Sequence, residues 1–301
     1  GSASHNLAVD TTAPVLTINT VAGDDIINDA EHAQALVISG TSTGGEAGVV
    51  VSVVLNGKTY TTTLDASGNW SVGVSAADVT ALGSGAQTIT ASVSDRAGNS
   101  DDASRTVTVS LSAPVISINT IAGDDVINAT EKGSDLALSG TSDQPAGTAI
   151  TVTLNGQNYS ATTDASGNWS VTVPASAVSA LGEATYSVTA SVTNAQGNSS
   201  TASHNVQVNT ALPGITINPV ATDDIINAAE AGSAQTISGQ VTGAAAGSTV
   251  TVELGGKTYT ATVQPDLSWN VSVPAADWQA LGNGELTVNA SVTNAVGNTG
   301  S

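Results

Sequence analysis

The stretch Val51-Ser52-Val53-Val54-Leu55-Asn56-Gly57-Lys58-Thr59-Tyr60-Thr61-Thr62-Thr63-Leu64 decides the fold. Two runs rich in Val and Thr flank an Asn-Gly pair, and Asn-Gly accepts the positive φ angles of a two-residue hairpin turn. β-branched side chains at alternate positions suit a pleated surface buried on one side. Further alternating runs lie on either side, at residues 15–19, 70–74 and 87–93. Asp65-Ala66-Ser67-Gly68 and Ala97-Gly98-Asn99 mark turns between runs. Residues 76–82 read as one short helical segment with Val79 and Leu82 on a common face. Short strands separated by turns every 8–12 residues or so, about seven of them per 100 residues, predict an immunoglobulin-like sandwich.

The pattern occurs three times. Pro14, Pro114 and Pro213 open equivalent segments 100 and then 99 residues apart, and Tyr60, Tyr159 and Tyr259 correspond, as do Trp70, Trp169 and Trp269. The Ala97-Gly98-Asn99 turn recurs at 196–198 and 296–298 with only Gly-Asn fixed. A repeat of this length is a whole domain rather than a solenoid turn. The expected fold is all-β: three tandem immunoglobulin-like β-sandwich domains in an elongated array, spanning residues 12–110, 111–209 and 210–301. The Trp residues, inside alternating strands, are expected core anchors. Residues 1–11 combine a tag-like Gly1-Ser2 with the expected last strand of a missing upstream domain. Ala3-Ser4-His5-Asn6-Leu7-Ala8-Val9 reads like Ala202-Ser203-His204-Asn205-Val206-Gln207-Val208, while the third repeat stops just after its last turn. Residues 3–9 either complete the third repeat of another copy in head-to-tail strand exchange, an exposed sheet edge being a template for strand addition, or lie against the first repeat or a lattice neighbour.

Composition narrows the function. The 301 residues hold 25 acidic and 5 basic side chains, a net charge of −20, which opposes binding to nucleic acid or an anionic membrane. No run approaches the roughly 20 apolar residues of a spanning helix. With no cysteine there is no disulfide or thiolate chemistry. His5, His32 and His204 occupy unrelated repeat positions, and no Gly-x-Ser-x-Gly elbow or phosphate loop is present, so no enzyme is expected.

The acidic motif Asp-Asp-Ile-Ile-Asn at 24–28 recurs as a variant at 124–128 and again at 223–227. Strand direction puts this loop at the C-terminal end of its domain and the 95–99 hairpin at the N-terminal end. The loop of one domain then faces the hairpin of the next. Adjacent carboxylates raise one another's pKa unless a cation lies among them, and a hard divalent ion with oxygen ligands would serve. The candidate calcium ligands are Asp24, Asp25, Asn28 and Glu31; Asp124, Asp125, Asn128 and Glu131; and Asp223, Asp224, Asn227 and Glu230. Asp95, Asn194 and Asn294 on the hairpins, and Asp10, Ser110 and Asn209 on the linkers, offer further oxygens. The plainer reading is a solvated turn with local side-chain caps; triplication in an acidic chain favours calcium.

The third repeat departs from its siblings, with Trp278 where Val79 and Val178 stand. Trp278 either stacks on a sugar ring, making this a glycan- or receptor-binding tip module, or fills its own core.

Asp10-Thr11-Thr12-Ala13-Pro14, the stretch Ala22-Gly23-Asp24-Asp25-Ile26-Ile27-Asn28-Asp29-Ala30-Glu31 and the hairpin Asp95-Arg96-Ala97-Gly98-Asn99 resemble bacterial Ig-like repeats. Such repeats form the long extension of giant type I-secreted adhesins, and this chain is similar to the SiiE and BapA types. The resemblance spans all three repeats. It implies a secreted or cell-surface location, calcium at domain junctions, a calcium-rigidified stalk, and a part in adhesion, biofilm formation or virulence through a host glycan or receptor bound by the whole adhesin. Ser110 and Asn209 depart from the linker Asp, and Asn194 and Asn294 from the hairpin Asp.

Overall fold

The computed structural model describes Gly1–Ser301. In the first repeat the strands are β1 (Val15–Ile18), β2 (Ile26–Ile27), β3 (Leu36–Thr43), β4 (Val50–Leu55), β5 (Lys58–Thr63), β6 (Asn69–Val74), β7 (Gly85–Ser94) and β8 (Ser100–Val109). One sheet has the order β1-β3-β6 and the other β2-β8-β7-β4-β5. The expected hairpin is β4–β5: Leu55 pairs with Lys58 across Asn56-Gly57, both at positive φ. Alternation sets the core, with Val51, Val53 and Leu55 of one sheet buried against Leu16, Ile38 and Trp70 of the other. Burial of this non-directional kind stabilises by about 25 cal/mol per Å² of apolar surface removed from water.

Strand β3 was not among the alternating runs singled out in the sequence. It carries a requirement that explains its glycine. Gly40 pairs with Trp70, and a Cβ there would stand 1.9 Å from the Thr17 carbonyl oxygen and 2.5 Å from the indole. Only a bare backbone lets three strands close over the Trp ring. Gly140 and Gly239 meet Ser117 and Thr216 in the same way.

The second repeat pairs Leu136–Thr141 with Asn168–Val173, and its five-stranded sheet has the order Gln157–Thr162, Ala149–Leu154, Thr185–Thr193, Ser199–Val208, Val126–Ile127. The third has a three-stranded sheet of Gly214–Ile215, Gln235–Thr242 and Ser268–Val273, and a four-stranded one ending in Val288–Thr293 and Thr299–Gly300. The chain gathers into two compact units, Gly1–Val115 with Ser191–Ser200, and Ile116–Ala190 with Thr201–Ser301. The first unit thus holds the first repeat together with the turn region of the second. Residues 3–9 carry no regular structure, and Leu7 and Val9 are 83% and 80% exposed. No helix is long and apolar enough to cross a membrane.

Trp278 takes the second of its two readings. It is only 6% exposed and belongs to the third repeat's core, in the helical slot where Val79 and Val178 are buried. A ring without accessible faces cannot stack on a sugar. The larger side chain is accommodated locally: Leu281 is only partly buried and packs over the hairpin, where Gly255 replaces Asn56 and a Cβ would stand 2.2 Å from Leu281 Cδ2.

Candidate functional site

The acidic loop of the first repeat is held at its far end by β2, which pairs in parallel with the last strand, Ile26 with Thr108 and Ile27 with Val109. Its near end is a turn that needs a carboxylate. Asp25 sits in the left-handed region at φ 64°, a conformation a short polar side chain tolerates. Its Oδ1 accepts from the Val21 N–H at 3.0 Å, and its own N–H donates to the Val21 carbonyl at 2.8 Å. Asp125 and Asp224 accept from the Ile121 and Val220 N–H groups in the same way, each at 2.8 Å. The second Asp of the motif therefore closes a turn in every repeat.

Its countercharge differs among repeats. Arg105 grips Asp25 with Nε at 2.6 Å and Nη2 at 2.5 Å, and this fork, more than the Val21 amide, holds the Asp25 carboxyl below its usual range. His204 Nε2 lies 2.7 Å from Asp125, whose pKa is lowered first by the Ile121 amide and then by His204.

The other loop residues are also locally engaged. Asp24 Oδ1 accepts from the Ile26 N–H at 3.0 Å, as Asp124 does from Val126 at 3.0 Å and Asp223 from Ile225 at 3.1 Å. Asn28 caps the short helix α1 (Asp29–His32): its Oδ1 accepts from the Glu31 N–H, and Glu31 Oε2 accepts from the Asn28 N–H, both at 3.1 Å. This reciprocal capping box satisfies two N–H groups that a helix start leaves without partners. Asn128 with Glu131, and Asn227 with Glu230, repeat it.

The hairpins come to these loops as strand direction predicts. Within the first compact unit, Asn198 Oδ1 accepts from the Asp29 N–H at 2.8 Å, and its Nδ2 donates to the Ser110 carbonyl at 2.8 Å. Within the second, Asn298 accepts from the Ala129 N–H at 2.7 Å and donates to the Asn209 carbonyl at 2.8 Å. Asn194 and Asn294 hold these turns, their Oδ1 atoms accepting from the Asn198 and Asn298 N–H groups at 2.9 Å. Their Nδ2 groups donate to the Ser112 and Ala211 carbonyls, at 3.0 and 3.2 Å. What they present to the linker is thus an N–H, where sequence reasoning assigned an oxygen ligand. In the first repeat Asp95 accepts from both the backbone and side-chain N–H groups of Asn99, and Asn99 Nδ2 lies 3.3 Å from the Asp10 carbonyl.

Asn198 and Asn298 were not among the residues singled out. The signal was present: Gly-Asn is the one fixed pair of the recurring turn. Positive φ at Gly98, Gly197 and Gly297 explains the first half of it, and at Gly197 a Cβ would also meet Asn28 Nδ2 at 2.8 Å.

Calcium asks for 6–8 oxygen ligands around one point. The loop carboxylates each spend an oxygen on a backbone N–H, Asp25 is taken by Arg105, and the hairpins contribute N–H donors. No three Asp, Glu or His side chains gather as a metal-holding group among the described residues. At the hairpins the donor set presents N–H groups to the linker carbonyls, and the loop oxygens left without an N–H are the second carboxylate oxygens. The three histidines share no site: His32 bonds the Leu82 carbonyl, His204 faces Asp125, and His5 is exposed.

The family model of the bacterial Ig-like domain matches residues 112–210. Among solved structures, one from the Ca2+-stabilized adhesin that helps an Antarctic bacterium reach out and bind ice is 37% identical, with 96% of this chain and 72% of that one covered and a TM-score of 0.53. Another, from a 1.5-MDa bacterial ice-binding adhesin studied for host cell surface retention, is 32% identical, covers 96% of both chains and has a TM-score of 0.52. No curated protein matches the sequence.

Proposed function

Because the chain belongs to the bacterial Ig-like domain family, we propose that it is a non-catalytic spacer segment of a large bacterial surface adhesin, working outside the cell. The observation that carries this reading is the hairpin-to-loop contact, made once with Asn198 and again with Asn298 by the same backbone groups of the preceding repeat. A contact that repeats with the domain period builds length and supplies no reaction. The two adhesin relatives support the same reading. The motif resemblance to the SiiE and BapA types, type I secretion and a role in biofilm or virulence are the finer forms of this proposal. Attachment to a host glycan or receptor is assigned to the remainder of such an adhesin, since Trp278 is buried.

Calcium is a separate proposal. It is supported by the description of one related adhesin as Ca2+-stabilized. An ion would have to bind carboxylate oxygens that no N–H engages, such as the second oxygens of Asp24, Asp124 and Asp223 and of Glu31, Glu131 and Glu230. Extracellular modules bind calcium at about 10⁻⁴–10⁻³ M. Calorimetry on the chain and on Asp124→Ala tests it: one site fewer in the variant is expected, and a full complement would remove the acidic motif from the ligand set.

Pairing of residues 3–9 with the third repeat of another copy is a further proposal, supported by the exposure of Leu7 and Val9. Sedimentation before and after deleting residues 1–9 tests it, a monomer in both cases counting against it. The spacer reading is tested by ligand arrays and ice adsorption with the isolated chain. No specific binding is expected, and a saturable ligand would make the segment a receptor-binding module instead.

A further inference from the structure

The hairpin of the second and third repeats each ends in an asparagine that is almost completely buried, Asn198 at 3% and Asn298 at 2% exposure. A buried amide without partners is strongly unfavourable, so where its two ends go is decisive. Each end meets a main-chain group that regular structure leaves open. Asp29 is the first residue of α1, and the first N–H groups of a helix have no intrahelical acceptor. Ala129 holds the same place after Asn128. Ser110 and Asn209 follow immediately on the last strands, which end at Val109 and Val208, and their N–H groups already donate to the Ile27 and Ile127 carbonyls. One planar amide, with an acceptor and a donor a fixed distance apart, thus reads two backbone positions brought side by side by the parallel pairing of the acidic loop with the last strand.

We propose that Asn198 and Asn298 are the docking residues of the two hairpins, and that their amides hold each hairpin to the preceding repeat's loop without a metal ion. Two features favour an amide over a bridging cation. The contact is made to backbone alone, so it is unchanged when Asp29 becomes Ala129 or Ser110 becomes Asn209. And the group pointing at the linker carbonyl is an N–H, which cannot ligate a cation. Asn194 and Asn294 reinforce this with a second N–H donated to Ser112 and Ala211. The inference does not depend on the adhesin reading: it concerns how hairpin meets loop, whatever the whole protein attaches to.

Amide hydrogen exchange on the full chain, resolved at Asp29 and Ala129, tests it. With chelator and with millimolar calcium, both amides are expected to exchange at the same rate within twofold. In Asn198→Ala the Asp29 amide is expected to exchange roughly tenfold faster while Ala129 is unchanged, and Asn298→Ala gives the mirror result. Core amides such as Val53 and Val152 report whether the sandwiches remain folded. Tenfold acceleration at Asp29 and Ala129 on chelation of the unaltered chain would overturn the proposal, as would variants that leave both amides protected. Ligand binding by the isolated chain would break the spacer reading and leave this result untouched.

Discussion

In the first repeat the hairpin carboxylate, Asp95, accepts from both the backbone and side-chain N–H groups of Asn99, at 2.8 and 2.9 Å, and the side-chain amide reaches the linker carbonyl of Asp10 only at 3.3 Å. In the second repeat Asn194 stands in its place. Its single side-chain oxygen accepts from the Asn198 backbone, and the Asn198 side chain turns outward to Asp29 and Ser110 at 2.8 Å each. The third repeat copies the second. Asp95 thus accepts from the Asn99 side-chain amide, whereas Asn194 accepts from backbone N–H groups and leaves the Asn198 side chain to bond Asp29 and Ser110. A carboxylate only accepts, so it consumes a nearby donor; an amide shares the acceptor role with a donor of its own.

The largest effect that sharpens this contrast is expected at the turn glycines. Gly98 and Gly197 have positive φ, 94° and 85°, so alanine at either should cost about 1–2 kcal/mol in backbone strain. A Cβ at Gly98 meets nothing within 4 Å, whereas at Gly197 it would press on Asn28 Nδ2. The atom met is the end of the Asn28 side chain, so the added cost is that of shifting one amide, about 0.5–1.5 kcal/mol. Denaturant titration should therefore show Gly197→Ala as clearly more destabilising than Gly98→Ala, with Gly297→Ala between them because its contact with Asn128 is looser, at 3.1 Å. Equal losses at all three positions would mean the hairpins are equally free.

A smaller effect is expected from exchanging the deciding group. Asn194→Asp should draw the Asn198 side-chain amide inward and weaken its bond to Ser110, a change of about 0.5–1.5 kcal/mol. Asp95→Asn should release Asn99 toward Asp10. Side-chain amide proton shifts and exchange rates report both, and an Asn198 amide indifferent to residue 194 breaks the comparison.

The mildest test uses acid. The bond from the Asn99 side chain, helped by the turn's backbone N–H groups, lowers the Asp95 pKa below its ordinary value. A carboxylate with a depressed folded pKa contributes stability that is complete above the unfolded value, roughly 3.9, and disappears as pH falls through the lower folded one. The 95–99 turn should then loosen below about pH 4, as should the Asp25–Arg105 link, whose carboxylate pKa is lowered too. Asn194 and Asn294 do not titrate, so an acid titration followed by NMR should leave their turns in place after the first has changed. Simultaneous loss of all three turns would contradict that.

Much of this molecule was legible beforehand. Alternation and Asn-Gly gave the β4–β5 hairpin, the triplicated landmarks gave the repeat, and strand direction alone brought hairpin to acidic loop. β3 escaped because its Gly40 and Ser/Thr positions dilute the apolar alternation, although Gly40 is the residue that admits Trp70. The acidic motif was harder. Asn28-x-x-Glu31 is also a capping-box signature, and Asp25 is also a left-handed turn residue. Carboxylates required by local geometry and carboxylates assembled for a cation look alike in one dimension. Asn198 was hidden for a related reason, since a turn asparagine ordinarily caps its own turn, and only the neighbouring loop shows that its side chain leaves it.

The most direct measurement observes the Asn198 and Asn298 side-chain amides themselves. In the full chain with excess chelator, nuclear Overhauser cross-peaks are expected from the Asn198 side-chain NH2 to protons of Ser110, and from the Asn298 NH2 to protons of Asn209. Both amides should exchange slowly with water. Cross-peaks that are absent in chelator and emerge only on adding calcium would contradict the account and return both contacts to the metal.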